Sequence, residues 1–279
     1  MALDERQRAM LREIGVPVWQ PAAPVGAPRP GPVPIAAIAA QGAAVPALPE
    51  LNVRAPAVID AAVVPPRPAA ASGVASMGWD TLRAAVADCR ACSLCESRRQ
   101  TVFGVGHLQA QWMVVGEAPG EQEDLHGEPF VGAAGQLLDN MLRSIGVTRA
   151  VTAADGSPPL DPAQQVYIAN TLKCRPPRNR NPEREELLQC EPFLQRQIQL
   201  LQPRVILAMG RFAVQALLRT DEAIGRLRGR VHAYEGVPTI VTYHPAYLLR
   251  NLADKARAWE DLCLAAHTME SLPPRVAHG

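Results

Sequence analysis

An excess of charge of either sign is missing from this chain. Its 279 residues carry 28 basic and 27 acidic side chains, a formal net charge of +1. No global basic field marks a nucleic-acid partner, so any such contact must rest on local patches. Long apolar runs are missing too, and none could span a bilayer. The N-terminus, MALDERQRAML, is charged where a secretory leader needs an apolar core, which predicts a cytoplasmic protein. Aromatics are few in the first 78 residues, which hold 13 of the 27 prolines amid Ala, Val and Gly. Such a stretch buries too little surface to offset its ordering entropy, so residues 20–78 read as a disordered tether. Residues 1–78 are thus expected to be an extension, and 79–279 the folded domain.

Ahead of the tether, Leu3, Met10, Leu11 and Ile14 recur near helical spacing until Gly15 and Pro17 stop the pattern. That predicts a short amphipathic helix, with Val18 and Trp19 as a following anchor. An isolated helix of this length is marginal in water. Held on a flexible leash of about sixty residues, it would reach roughly 40–45 Å, which suits docking into a partner's groove.

From residue 79 the chain alternates strand and helix signals. Trp112–Val115, Val166–Ala169, Val205–Met209 and Thr239–Thr242 are apolar runs that read as buried parallel strands. Helical stretches fall at about 79–90, 134–145, 183–201, 211–219 and 253–268. The alternation predicts a three-layer α/β/α domain around a short, mainly parallel central sheet. Ligands of such sheets bind beyond the carboxyl ends of the strands. Three polar motifs stand at those ends: Gly116-Glu117-Ala118-Pro119-Gly120, Asn170, and His244-Pro245.

The six cysteines are unevenly spread. Cys89-x-x-Cys92 closes the first predicted helix of the domain, Cys174 follows the second strand, and Cys190 lies on the next helix. In a reducing compartment, clustered cysteines read as ligands before disulfides. Four thiolates make a site suited to zinc or to an iron–sulfur cluster, and spacing alone does not separate the two. The second pair is too widely spaced for a zinc ribbon, which favours a cluster. Cys95 repeats the CxxC spacing and competes with Cys92. Cys263, alone on the last helix, reads as core.

Phe130 lies in a Gly/Pro-rich loop, either plugging the core or offering a platform for a base. Asn170 could cap a turn, but its amide also presents a donor and an acceptor side by side, matching a pyrimidine edge. His244 is either a satisfied core histidine or an anion stabiliser, followed by an exposed apolar pair, Leu248 and Leu249, and by Arg250. Lys173, Arg175, Arg178, Arg180 and Arg184 form a basic patch beside Asn170 that suits phosphates.

Together these residues resemble the family 4 uracil-DNA glycosylases, the iron–sulfur branch of that superfamily. The match runs from about Cys89 to Arg250. It rests on Gly116–Gly120, Gly127-x-Pro129-Phe130-Val131-Gly132, Asn170-Thr171-Leu172-Lys173-Cys174-Arg175-Pro176-Pro177 and His244-Pro245-Ala246-Tyr247-Leu248-Leu249-Arg250. The resemblance implies a [4Fe–4S] cluster on Cys89, Cys92, Cys174 and Cys190, with Cys95 outside the set. It places Glu117 and Ala118 beside the uracil, Phe130 stacked on it, Asn170 on its edge, His244 against O2, and Glu123 crowding C5 to reject thymine. Other branches carry Asp where this chain has Ala118, so the water-activating group differs here. Lys173, Arg175, Leu248, Leu249 and Arg250 are expected to contact DNA. The implied protein is a monomer that excises uracil from DNA to begin base-excision repair, with a replication or repair protein as the partner of the N-terminal helix. Two other readings stand beside it. One is a uracil-DNA binder that traps its target covalently; its branch carries a histidine-containing insertion that Pro176–Pro182 lacks. The other is a zinc-bound interaction module of the replication machinery.

Overall fold

The computed structural model describes residues 73–150 and 161–273. The expected N-terminal helix and tether lie outside these residues. No helix among the described residues is long and apolar enough to cross a membrane.

Six strands form one sheet: β1 (Val105–Gly106), β2 (Trp112–Gly116), β3 (Val166–Asn170), β4 (Val205–Met209), β5 (Val231–Tyr234) and β6 (Val237–Thr242). Their order is β1-β3-β2-β4-β6-β5, with β3, β2, β4 and β6 parallel and the two edge strands antiparallel. The helices are α1 (Trp79–Ala87), α2 (Leu94–Ser97), α3 (Glu121–His126), α4 (Ala133–Ser144), α5 (Arg184–Leu201), α6 (Arg211–Leu218), α7 (Ile224–Leu227), α8 (Pro245–Leu248) and α9 (Lys255–Ser271).

Every residue of β2, β3 and β4 is buried because both sheet faces are covered. Alternate side chains go to opposite layers. Trp112, Val114, Val166, Ile168, Val205 and Leu207 pack with Leu138 and Met141 of α4 and with Ala258, Leu262, Ala265 and Met269 of α9. The last four recur at helical intervals and give α9 its inner stripe. Met113, Val115, Tyr167, Ala169, Ile206 and Ala208 face Leu194, Ile198 and Leu201 of α5 and Val214 and Leu217 of α6. A third cluster joins Leu82 and Val86 of α1, Leu94 of α2, Phe103, Leu172 and Phe193 of α5.

The three-layer expectation holds, with two refinements. The edge strands β1 and β5 carry no long apolar run, so sequence pattern does not reveal them. β5 and β6 form a hairpin on the two-residue turn Glu235-Gly236, both at positive φ (46° and 85°). α1 ends at Ala87, so Cys89 and Cys92 lie beyond it, not within it.

Candidate active site and cysteine site

The carboxyl ends of all four parallel strands open onto one cleft of about 970 Å³. Gly116 ends β2, and its missing side chain is a requirement: a Cβ there would stand 2.4 Å from Asn170 Oδ1 and 2.8 Å from Phe130 Cζ. Asn170, at the end of β3, is 2 % exposed, and its Oδ1 is a buried acceptor with no hydrogen-bond partner among the described residues. Buried acceptors are rarely left so. Asn170 is one of the residues that line the cleft.

Glu117 follows Gly116, and its Oε1 accepts the Phe212 amide (3.1 Å) at the amino end of α6. Gly210, at φ 97°, permits that approach, since a Cβ would meet Oε1 at 2.5 Å. Burial raises the Glu117 pKa, opposed by the amides of Phe212 and Arg211 and by the Arg211 charge. Glu123 on α3 is braced from both sides, taking the Gly120 amide at 3.0 Å and the Val131 amide at 3.2 Å.

Phe130 is 4 % exposed and sits at φ 57°, a conformation costly for an aromatic residue. Its loop is held from outside. Arg149 donates to the carbonyls of Pro129 (2.9 Å) and Phe130 (2.8 Å) while forming a two-point ion pair with Asp139 (2.7 and 2.8 Å). Gly135, in the first turn of α4, leaves room for the Phe130 carbonyl, which a Cβ would approach to 1.7 Å. The ring stacks on His244 at 5.3 Å and 25°. Phe130 belongs to the core cluster and also lines the cleft wall.

His244 precedes α8 and caps it: Nδ1 accepts the Ala246 amide at 3.2 Å. That bond assigns the ring proton to Nε2. Burial first, and the Arg250 charge second, push its pKa down to about 4, so the imidazole is a neutral N–H donor at working pH. Tyr243, Tyr247 and Arg250 continue the wall, with the two tyrosine rings stacked at 5.1 Å.

Behind β3 the cysteines converge. Cys89, Cys92, Cys95, Cys174 and Cys190 line one cavity, with Val86, Leu94, Leu172, Phe193, Arg98 and Lys173. Arg98 binds it together, donating to Cys174 Sγ (3.1 Å) and to the carbonyls of Ala87 (3.0 Å) and Cys89 (2.8 Å). The Lys173 amide donates to Cys190 Sγ at 3.3 Å. Burial raises the pKa of Cys92 and Cys174 and takes Cys190 up to about 12. Among the described residues no three His, Cys, Asp or Glu side chains are close enough to hold a single metal ion. Tetrahedral zinc, about 2.3 Å from each sulfur, would need sulfurs within about 3.8 Å of one another. The cysteines that line this cavity are a thiolate donor set of the kind that zinc or an iron–sulfur group takes.

The profile of the Uracil DNA glycosylase superfamily matches residues 103–263. A type-4 uracil-DNA glycosylase of Archaeoglobus fulgidus is 43% identical over 172 residues, covering 59% of this chain and 79% of that protein. Type-4 enzymes of Saccharolobus solfataricus and Pyrobaculum aerophilum are 36% and 39% identical, with 88% and 93% of their lengths covered and 70% and 67% of this chain. The chain belongs to the type-4 uracil-DNA glycosylase family.

Within this glycosylase fold, Glu117, Ala118, Glu123, Phe130, Asn170, His244 and Arg250 share the cleft. Leu249 is 42% exposed. Three expectations need correction. Leu248 is 1% exposed and packs in the core, because the short turn of α8 points successive residues in different directions. Lys173 is 1% exposed and cannot reach a phosphate; its ammonium is enclosed, and burial lowers its pKa to about 8. Cys263 lies on the exposed side of α9, off the stripe of Leu262 and Ala265. Within the basic patch, Arg180 is engaged by Glu186 (2.9 and 2.5 Å) and Glu183 (3.2 Å). Arg175 bonds Asn179, itself on the cleft wall, at 2.8 Å. Sequence reading missed Arg98, the Arg149–Asp139 clamp and Gln197, none of which lies in a motif.

Proposed function

We propose that this chain hydrolyses the N-glycosidic bond of deoxyuridine flipped out of DNA, using the cleft at the strand ends. The orphaned Oδ1 of Asn170 carries the reading. On this reading it accepts the uracil N3–H while the amide nitrogen donates to O4, a pairing that cytosine's edge mismatches. Phe130 supplies the face on which the base stacks. Glu123, braced by two amides, stands as a rigid wall against a C5 methyl. A movable wall would discriminate less.

As the C1′–N1 bond breaks, its electron pair goes to uracil and negative charge gathers on O2. A neutral His244 Nε2–H gives that oxygen a donor whose bond strengthens as the charge grows, the feature that accelerates rather than merely binds. The water's oxygen then bonds to C1′ and its proton leaves toward uracil or Glu117. Glu117, anchored at the amino end of α6, is the group that orients the water where other branches use Asp at the place of Ala118. Leu249 and Arg250 meet the DNA at the cleft mouth, the leucine filling the gap left in the stack. Arg175 contacts the backbone.

Cys89, Cys92, Cys174 and Cys190 would hold a [4Fe–4S] cluster, which supplies a covalent cross-link between the segment after α1, the loop after β3 and α5. Cys95 stands beside the set. On this reading the N-terminal extension, whose sequence carries the apolar pattern of Leu3, Met10, Leu11 and Ile14, serves as a leash to a replication or repair protein, and the catalytic domain works as a monomer. Val74 packs in the core and the Met77 carbonyl accepts from Arg196, so the folded domain starts before residue 79, and deleting residues 1–72 is expected to leave activity on a short uracil oligonucleotide unchanged.

The deciding experiment incubates the purified, coloured protein with oligonucleotides bearing uracil, hypoxanthine or thymine opposite A and G, followed by alkali. Scission at uracil and not at thymine is expected. Retained DNA without scission, or a covalent adduct, would overturn hydrolysis in favour of a binder.

A further inference from the structure

This chain has two lysines, Lys173 and Lys255, and both are buried. Arginine fills every other basic position, so a lysine that is fully enclosed demands a reason. Lys173 carries no ion pair among those found in the described residues. Its Nζ instead donates to the Asn170 carbonyl (2.7 Å) and to Gln197 Oε1 (2.6 Å). Gln197 on α5 is itself 0% exposed, and its amide nitrogen is bound to the Phe103 carbonyl (2.9 Å) and the Tyr167 hydroxyl (3.2 Å). Those bonds turn Oε1 toward the lysine. At its other end Lys173 is part of the cysteine site: its amide meets Cys190 Sγ, Cys174 follows it, and its carbonyl accepts the Val102 amide at 2.8 Å.

We infer that Lys173 is a positioning residue, tying the cysteine site to Asn170 and holding that asparagine in the geometry that reads the base. The inference rests on the assignment of Asn170 as the uracil-reading residue. A compact three-donor ammonium on a four-carbon stem suits the task, where a guanidinium would not fit the enclosed space. The Asn170 carbonyl ends β3, and the next amide, Thr171, is bound to the Gly116 carbonyl at 3.0 Å. With both sides of this peptide fixed, the side chain leaves the strand in one direction, and its Oδ1 needs no internal partner to stay there.

The test uses full-length protein carrying its visible chromophore. Lys173→Met keeps the stem and removes the donors. Loss of a charged hydrogen bond predicts roughly a tenfold weaker inhibition by free uracil and a comparable rise in KM, with a smaller change in kcat. Discrimination between uracil and cytosine should narrow as well. Iron content and visible absorbance per chain are expected to stay at the wild-type level. Gln197→Leu, which removes only one anchor, should move the same quantities less, and Gln197→Glu, which keeps an acceptor for the ammonium, should restore them. If Lys173→Met fails to fold, the Gln197 pair decides the matter alone. Wild-type uracil affinity in an iron-loaded Lys173→Met, or equal behaviour of Gln197→Leu and Gln197→Glu, would overturn the inference. A wild-type protein that neither binds uracil nor cuts uracil DNA would instead overturn the reading of the cleft, and is seen before any variant is made.

Discussion

The cysteine site and the cleft lie on the two sides of the β3 terminus and are built on opposite rules. In the first, sulfur donors from three separated segments close around an interior cavity, and Arg98 and the Lys173 amide take up hydrogen bonds at Cys174 and Cys190. In the second, walls are braced from behind while a polar atom goes unpaired: Asn170 Oδ1 has no hydrogen-bond partner among the described residues, and His244 commits Nδ1 to a helix cap. A region that holds the chain together satisfies its polar groups internally. A region that recognises a ligand leaves them unsatisfied, at a cost the rest of the fold must bear.

The largest effect expected from this contrast is at Cys190. Cys190→Ala should lose iron and visible absorbance and lower Tm by on the order of 10 °C, because metal-site energy is folding energy. Cys95→Ala should keep both. Full iron content in Cys190→Ala would dissolve the contrast, since the closed site would then not depend on the donor that α5 supplies. Next comes His244→Ala, expected to slow single-turnover excision by about 10²–10³ while DNA affinity changes little. A drop in affinity with unchanged rate would move His244 from the chemistry to simple binding.

Smaller is the effect of Gly135→Ala. Helix propensity alone favours alanine by about 1 kcal/mol, yet the Phe130 carbonyl stands where the Cβ must go. The variant is therefore expected to destabilise by about 1–3 kcal/mol in urea melts and to disturb the stacking wall. Stabilisation would show that the Phe130 loop yields freely and is not braced. The smallest change concerns pH. An ordinary histidine titrates near pH 6.5, whereas His244 stays neutral down to about 4. The His244 contribution to the rate should thus stay flat from about pH 8 to about pH 5. Stability runs the other way from the usual paired histidine. Below about pH 6.5 the unfolded chain takes up a proton that the folded site refuses, so this contribution is full above that pH and declines as pH falls toward 4. His244→Phe should remove that acid-side slope.

Sequence by itself settled the sandwich architecture, because strands buried on both faces must be written as unbroken apolar runs, as Val205–Met209 is. It also placed Asn170, His244 and the Gly116 turn at strand ends, where a parallel sheet collects its ligand groups, and it counted the cysteines. What it left open is the direction in which each side chain points. Lys173 and Arg175 stand in one basic run, yet the lysine turns inward to Asn170 while the arginine stays at the surface. Leu248 and Leu249 are chemically the same, and the single turn of α8 buries one and exposes the other. Gln197 and Arg149 sit in no motif, and their roles exist only because folding brings α5 against Lys173 and the Arg149–Asp139 pair against the Phe130 loop. Local sequence determines periodicity and turn chemistry over a few residues. Which polar atom is satisfied, and which is left open for a ligand, depends on neighbours contributed by distant segments, and only the tertiary structure decides it.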